Sequence, residues 1–224
     1  SQHHFKFCTM TVSDGPIKSS AYLEAVKHRR TVYGLTDKIS VSDDRIIEIA
    51  NEVIQTIPSS WNVQSTRILV TLGKEHKRFW DAVIAAAKPF ILENQGEEDW
   101  KRNEERYESF RAAYGTISVI EDHAPIEKLH EKFTKFPITV FEGFAEHSNA
   151  MHQITLWTAL ELEGLGASLQ HSNFIPGVED GIRSAFQLPS SWSVKAEIVF
   201  GGLSGERPTV PKKEPVSTTV KIFK

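Results

Sequence analysis

The stretch Glu146–Asn173, EHSNAMHQITLWTALELEGLGASLQHSN, decides the fold. Ala150, Met151, Ile154, Leu156, Trp157, Ala159, Leu160 and Leu162 are apolar. At the helical period they point almost all round rather than along one stripe, so the helix needs protein on most sides. At about 16 residues (Ser148–Glu163), interrupted by His152, Gln153, Thr155 and Thr158, it is too short and too polar to span a bilayer. Ser148 or Asn149 is expected to cap its start. Gly164 is expected to take the left-handed conformation that ends it, and Gly166 to allow close backbone approach. A strand, Ala167–His171, should follow. The polar run Leu169-Gln170-His171-Ser172-Asn173 directly after a core helix is where a planar ligand could lie against backbone N–H groups. The plainer alternative is a core helix with a glycine cap and no ligand.

Working outward, Ser20–Arg30 reads as a short helix capped by Ser19 or Ser20, with Tyr22, Leu23 and Val26 on one face. It ends in Lys27-His28-Arg29-Arg30-Thr31-Val32-Tyr33. Such a basic run followed by a hydroxyl suits a phosphate dianion, because Arg binds phosphate bidentately and Thr adds a donor. A solvated helix end complementing the helix dipole is the alternative. Ser42 should cap a second helix whose buried side is Ile46, Ile47, Ala50, Val53 and Ile54, stopping near Pro58. Pro58–Ser65 is then a polar loop in which Asn62 and Gln64 offer both donors and acceptors to a heteroaromatic edge. An ordinary turn bonded to its own backbone would also explain them.

A strand over Thr66–Leu72 follows, then a helix Lys74–Leu92 that Pro89 kinks or ends. Glu97–Ala113 is a charged helix, a surface flap or simply a solvated helix, with Trp100, Tyr107 and Phe110 as its apolar contacts. Thr116–Glu121 and Ile138–Phe141 read as strands separated by a helix over Pro125–Phe133. Val178–Gln187 reads as a helix and Val194–Phe200 as a strand. Gly201–Pro215 is a loop carrying Lys212-Lys213, and Val216–Phe223 alternates as a last strand. With no repeats and no linker, the elements interleave in one α+β domain over residues 19–224. Residues 1–18 are expected to form a flexible arm. Its opening Ser1–Thr9, with His3-His4, reads as added sequence ahead of a native Met10.

The 224 residues carry a formal charge of −3, and the pI is near 6.3. That balance argues against a nucleic-acid partner needing a basic surface. No stretch reaches transmembrane length, so no membrane insertion is expected. The single Cys8 excludes an internal disulfide and a multi-cysteine zinc site; an intracellular, reducing location fits best, with the cytoplasm expected and the nucleus a second option. There is no nucleotide-binding glycine fingerprint, phosphate loop or nucleophile elbow. His147 and His152 stand about 140° apart on a helix and cannot share an ion. Glu161 and Glu163 fall on different faces, which argues against paired acid–base work.

Taken together, Arg29-Arg30-Thr31-Val32-Tyr33, Pro58-Ser59-Ser60-Trp61-Asn62-Val63-Gln64 and Leu162-Glu163-Gly164-Leu165-Gly166 with Leu169-Gln170-His171 resemble the nitroreductase family of flavoenzymes. The likeness is to its branch of fungal and bacterial proteins linked to fatty-acid response and oxidative stress. It extends over nearly the whole chain from about Ser19. The resemblance implies a central mixed, mainly antiparallel sheet flanked by helices, with a C-terminal strand extending to a partner protomer. It also implies an FMN-dependent homodimer with composite sites at the interface. Arg29, Arg30 and Thr31 would then bind the FMN phosphate and ribityl chain, with Lys212 or Lys213 completing that site. Leu169, Gln170 and His171 would run beside the isoalloxazine, one backbone N–H reaching N5. Ser59, Ser60, Asn62 and Gln64 would come from the other protomer. Tyr33 stands where the broad family often has Lys or Arg, and Glu214 where it often has Arg. With only a hydrogen bond from Tyr33, a lower flavin potential is expected.

The function so implied is an NAD(P)H-dependent FMN oxidoreductase. NADH or NADPH would reduce the flavin, and a nitroaromatic or quinone-like small molecule would reoxidise it in a ping-pong cycle. FMN carries the chemistry, so no side chain is nominated as catalytic. The rival expectations are a flavin-binding regulator with incidental reductase activity and a flavin-free dimeric scaffold.

Overall fold

The computed structural model describes residues 18–224, so the expected arm lies, apart from Lys18, outside the described residues. The order is α1 (Ser19–His28), β1 (Leu35–Thr36), α2 (Asp43–Thr56), β2 (Thr66–Leu72), α3 (Lys74–Asn94), α4 (Glu97–Arg111), β3 (Gly115–Asp122), α5 (His123–His130), α6 (Ile138–Leu162), β4 (Gly166–Gln170), α7 (Val178–Phe186), β5 (Trp192–Leu203) and α8 (Val216–Thr219). Short 3₁₀ turns occupy Ser60–Asn62 and Ser172–Phe174. β5 is the axis of the sheet. It pairs with β3 along one edge and with β4 and then β1 along the other, and β2 lies outside β3. All these pairings are antiparallel.

Both faces of the sheet are covered, which is why β3 is buried at every position. α3, α4 and α7 pack on one face through Phe79, Trp80, Val83, Tyr107, Phe110 and Ile182. α2 and α6 pack on the other against Ile117, Val119, Ile198 and Phe200. α4 is fixed in place rather than free to act as a flap, because Trp80 stacks against Tyr107 at 6.1 Å and meets Phe110 at 5.1 Å.

The central helix is longer than its apolar core suggests. Ile138–Phe141 is not a strand but the first turn of α6, which runs for 25 residues. Its β-branched residues favour a strand locally, but burial of Phe141 and Ala145 against Ile126 of α5 decides otherwise. Ser148 and Asn149 are therefore mid-helix and cap nothing. Ser148 Oγ donates to Phe144 O (3.0 Å), and Asn149 Nδ2 donates to Ile120 O and Glu121 Oε2 (3.2 Å each). The far end follows expectation. Gly164 has φ 92°, with Gly164 N–H on Glu161 O (3.1 Å) and Leu165 N–H on Leu160 O (3.3 Å), a Schellman closure. A Cβ on Gly166 would meet Leu35 at 2.9 Å.

Other expectations needed correction. α1 stops at His28, so Arg29 and Arg30 lie beyond it, and neither Ser19 nor Ser20 caps it; its N-cap is Lys18, with no side-chain cap bond. Ser42 does cap α2, accepting from Arg45 N–H at 3.2 Å. Ile47 points to solvent, while Ile49 takes its place in the core. Pro89 does not end α3, because Ala87 and Ile91 on either side of it are fully buried and hold the next turn. The short β1 carried no visible signal. Val216–Phe223 forms no strand within the single chain: Val216–Thr219 makes one helical turn and the rest has no regular structure. A strand needs an edge to pair with, and this exposed tail meets none in its own subunit.

His76 supplies a pH test of this fold. It is fully buried, with Nε2 3.0 Å from Phe110 O and Nδ1 2.9 Å from Thr116 Oγ1, whose hydroxyl also accepts Trp80 Nε1–H at 3.0 Å. Burial lowers its pKa from 6.5 to about 4. With the folded value below the unfolded one, its contribution is complete above pH ~6.5 and lost as pH falls towards ~4, by about 3 kcal/mol. His76→Gln should remove that loss. Urea unfolding at pH 7 and pH 4.5 measures it as the change in the wild-type-minus-variant difference; a difference that does not change with pH would refute it.

Candidate functional site

The turn after α1 is built from the carboxylate of Glu161. In the last turn of α6, Glu161 is buried, and a buried charge needs partners. It has three. Oε1 accepts from Trp157 Nε1 (2.9 Å), while Oε2 accepts from the Arg30 backbone N–H (2.9 Å) and from Arg207 Nη1 (2.6 Å). Arg207 Nη2 also donates to Leu165 O (2.9 Å). Trp157 Nε1 is shared with Ala167 O (3.2 Å), whose carbonyl also accepts Val32 N–H (2.9 Å). One acidic side chain thus ties the Arg29–Val32 segment, the end of α6, the start of β4 and the base of the C-terminal tail together.

On that frame, the Arg29 guanidinium lies over the Trp157 ring at 4.1 Å, a cation–π contact. Its Nε is buried and has no hydrogen-bond partner among the described residues. Arg30 Nη1 rests on the carbonyls of Lys27 and Arg29. Thr31 is half-buried and Tyr33 exposed. Beside them an open groove of about 700 Å³ is lined by Lys27, His28, Arg30 and Arg207, with Leu162 as an apolar wall and Glu24 as its one acid. Glu24 is paired with Lys27 at 2.7 Å, which leaves the groove net positive. At the exit of β4, Leu169 is half-buried, Gln170 is buried with Oε1 accepting from Arg106 Nη2 (2.8 Å), and His171 is exposed.

The second group of expected residues lies elsewhere. Gln64 N–H donates to Ser59 Oγ (2.9 Å), and Ser60 N–H donates to Ser148 Oγ (3.3 Å) on α6. Trp61, Asn62 and Gln64 all have φ 51°, in the left-handed region, held there by Trp61 packing on Phe133, Phe141 and Phe144. Ser148 precedes Glu161 by more than three helical turns, about 20 Å along α6. Within one chain, therefore, Ser59, Ser60, Asn62 and Gln64 do not meet Arg29 and Arg30. Lys212 and Lys213 stand on the exposed tail and meet neither group.

Sequence reasoning weighed Glu161 only as half of a carboxylate pair with Glu163, missing its tethering role, and overlooked Arg207. A carboxylate inside the apolar run Leu160-Glu161-Leu162 was the available signal, since such a group is seldom buried unpaired. Arg207, in a polar loop, offered none. Glu161 and Glu163 do face different ways: Glu163 Oε1 binds Arg45 instead, at 2.8 and 3.0 Å.

A helix-wrapped antiparallel sheet with a cationic turn laid against a strand exit is the frame of an α+β nitroreductase-like protein. The chain belongs to the nitroreductase family, whose family model matches residues 26–202, and it is thereby an oxidoreductase. It is 36% identical over 185 residues to nitroreductase FRM2 of Saccharomyces cerevisiae, covering 80% of this chain and 86% of the relative. Among solved structures it resembles nitroreductase CinD from Lactococcus lactis in complex with 4-nitrophenol. That match has a TM-score of 0.79 and 26% identity, and covers 91% of this chain and 100% of that one. A Desulfovibrio desulfuricans structure in complex with FMN shares the fold at TM-score 0.63 and 18% identity, over 90% and 96% of the two chains.

Proposed function

We propose that this protein is an FMN-dependent NAD(P)H oxidoreductase that acts as a homodimer on nitroaromatic or quinone-like acceptors. The observation that carries the reading is the Arg29–Thr31 turn: two arginines and a hydroxyl on a preordered backbone, with a buried guanidinium N–H still lacking an acceptor. A phosphate dianion supplies such an acceptor and neutralises the groove. Arg29, Arg30 and Thr31 would hold the phosphate. Leu169–His171 would line one edge of the ring system, and Tyr33 would offer a single hydrogen bond to it. Lys212 or Lys213 would reach the phosphate only by a movement of the tail, whereas Arg207 already stands beside Arg30 in the groove.

Bound FMN would supply the hydride chemistry, with the protein providing position and charge. CinD binding 4-nitrophenol supports a flat aromatic acceptor for this chain too, and the FMN complex of the same fold supports the cofactor.

The exposed apolar residues support the dimer. Val140, Met151 and Leu162 recur every eleven residues of α6, a drift of only about 20°, and Ile154 joins the same stripe. Tyr22 and Leu23 of α1 and Val216, Val220, Ile222 and Phe223 of the tail are exposed as well. A second copy would cover these surfaces. It would also bring Ser59, Ser60, Asn62 and Gln64 of the partner subunit to the ring, closing the 20 Å gap within one chain. No helix among the described residues is long and apolar enough to cross a membrane.

The test is the visible spectrum of the protein purified without added flavin, followed by steady-state turnover. About one FMN per subunit, a dimer by sedimentation, and parallel double-reciprocal lines for NADH or NADPH against a nitroaromatic are expected. A colourless protein with no affinity for FMN would reject the reading. Bound flavin without turnover would move it to a regulatory role.

A further inference from the structure

β4 stops pairing at Gln170, opposite Glu197 of β5. His171 then turns away from the strand (φ −139°, ψ 59°) into the Ser172–Phe174 turn. Ser172 is buried, so its N–H and O–H both need acceptors that the sheet no longer provides. Glu197 provides them, with Oε2 accepting Ser172 N–H at 3.0 Å and Oε1 accepting Ser172 Oγ–H at 2.6 Å. Asn173 Nδ2 adds a third tie, to Val194 O at 2.8 Å.

The position is otherwise a poor one for a carboxyl. Glu197 is fully buried at the centre of the sheet, and burial pushes its pKa up to about 7 against the two Ser172 bonds that lower it. Its direct cross-strand partners are polar too, Ser118 on β3 and Gln170 on β4. Ser118 Oγ and Gln170 Nε2 have no partner among the described residues, and Gln170 Oε1 is tied to Arg106 of α4. An apolar side chain would fill the strand position at lower cost if the turn did not need two acceptors.

We propose that Glu197 is a positioning residue: by holding both donors of Ser172 it fixes the His171–Asn173 turn that borders the flavin ring. This rests on the reading of Leu169–His171 as the ring-side edge of the FMN site. Glu197 touches no ring atom itself. It acts through the backbone, by giving the segment one conformation before the ring arrives.

Glu197→Leu removes both acceptors and fills the space with an apolar side chain, whereas Ser172→Ala removes one of the two bonds and leaves the carboxylate. Apoprotein of each would be titrated with FMN and with riboflavin, which lacks the phosphate, and the bound spectrum and midpoint potential would be recorded. Glu197→Leu should weaken both ligands by the same factor, about tenfold, and shift both the flavin bands and the potential. Ser172→Ala should move all of them the same way by less. Arg29→Ala with Arg30→Ala should weaken FMN and leave riboflavin unchanged. Wild-type affinity, spectrum and potential in both Glu197→Leu and Ser172→Ala would overturn the proposal while leaving the flavin reading intact, even if their Tm values fell. Wild-type protein that binds neither flavin would overturn the flavin reading and the positioning role together.

Discussion

Alanine at both Arg29 and Arg30 should weaken FMN binding by about 10²–10⁴-fold while the protein stays folded, because each charge-assisted contact is worth about 1.5–3 kcal/mol. Fluorescence titration of apoprotein with FMN would measure this. The two residues should not contribute equally. Arg29 is already stacked on Trp157 with an unused, buried Nε–H, so its guanidinium is in place before any ligand binds. Arg30 Nη1 currently donates to the carbonyls of Lys27 and Arg29 and must exchange those bonds for the phosphate. Arg29→Ala alone should therefore account for the larger share, along with about 1 kcal/mol of stability from the lost cation–π contact. Equal affinity of wild type and the double variant for FMN would show that the turn is not the phosphate site.

Glu161→Ala should lower stability by about 3–5 kcal/mol, since it strands the Arg207 guanidinium and leaves Trp157 Nε1–H and Arg30 N–H without their carboxylate. In a domain of this size that is a fall in Tm of roughly 10 °C. Arg207→Ala should cost a similar amount by leaving the carboxylate under-compensated. Replacing both with alanine should cost much less than the sum of the singles, giving a coupling of about 2–3 kcal/mol. Urea unfolding of the four proteins closes the cycle, and additive effects would mean the pair is solvated and idle. FMN affinity in Glu161→Ala separates two physical accounts. Removing a negative charge near the phosphate should tighten binding if bulk electrostatics ruled. Releasing the Arg30 backbone should weaken it if preorganisation rules, and the three hydrogen bonds on Glu161 favour the second outcome.

Much of the architecture was legible in the sequence because it depends on local chemistry. β2 is set by its run of apolar and β-branched residues, α2 by Ser42 at its cap, and the exit of α6 by Gly164, the residue that best tolerates φ 92°. The order of Arg29-Arg30-Thr31, Ser59–Gln64 and Leu169–His171 along the chain sufficed to suggest the family. Its membership is confirmed over residues 26–202.

Where local preference and burial disagreed, only the tertiary structure could decide. Ile138–Phe141 has strand-forming residues, yet it is helical because Phe141 and Ala145 find Ile126, a partner no local pattern reveals. Ser148 and Asn149 look like caps because their side chains bond to backbone, and they do so from the middle of a helix. Glu161 and Arg207 are 46 residues apart, and Glu197 and Ser172 are 25 apart. Each is an ordinary polar residue until folding removes water from around it and leaves one partner within reach. The sequence by itself determined the cap of α2, the glycine exit of α6, most of the strands and the identity of the basic turn, since these follow from nearest-neighbour sterics and periodicity. The tertiary structure alone decided which charges are buried and what they hold in place, because burial depends on residues that are distant in sequence.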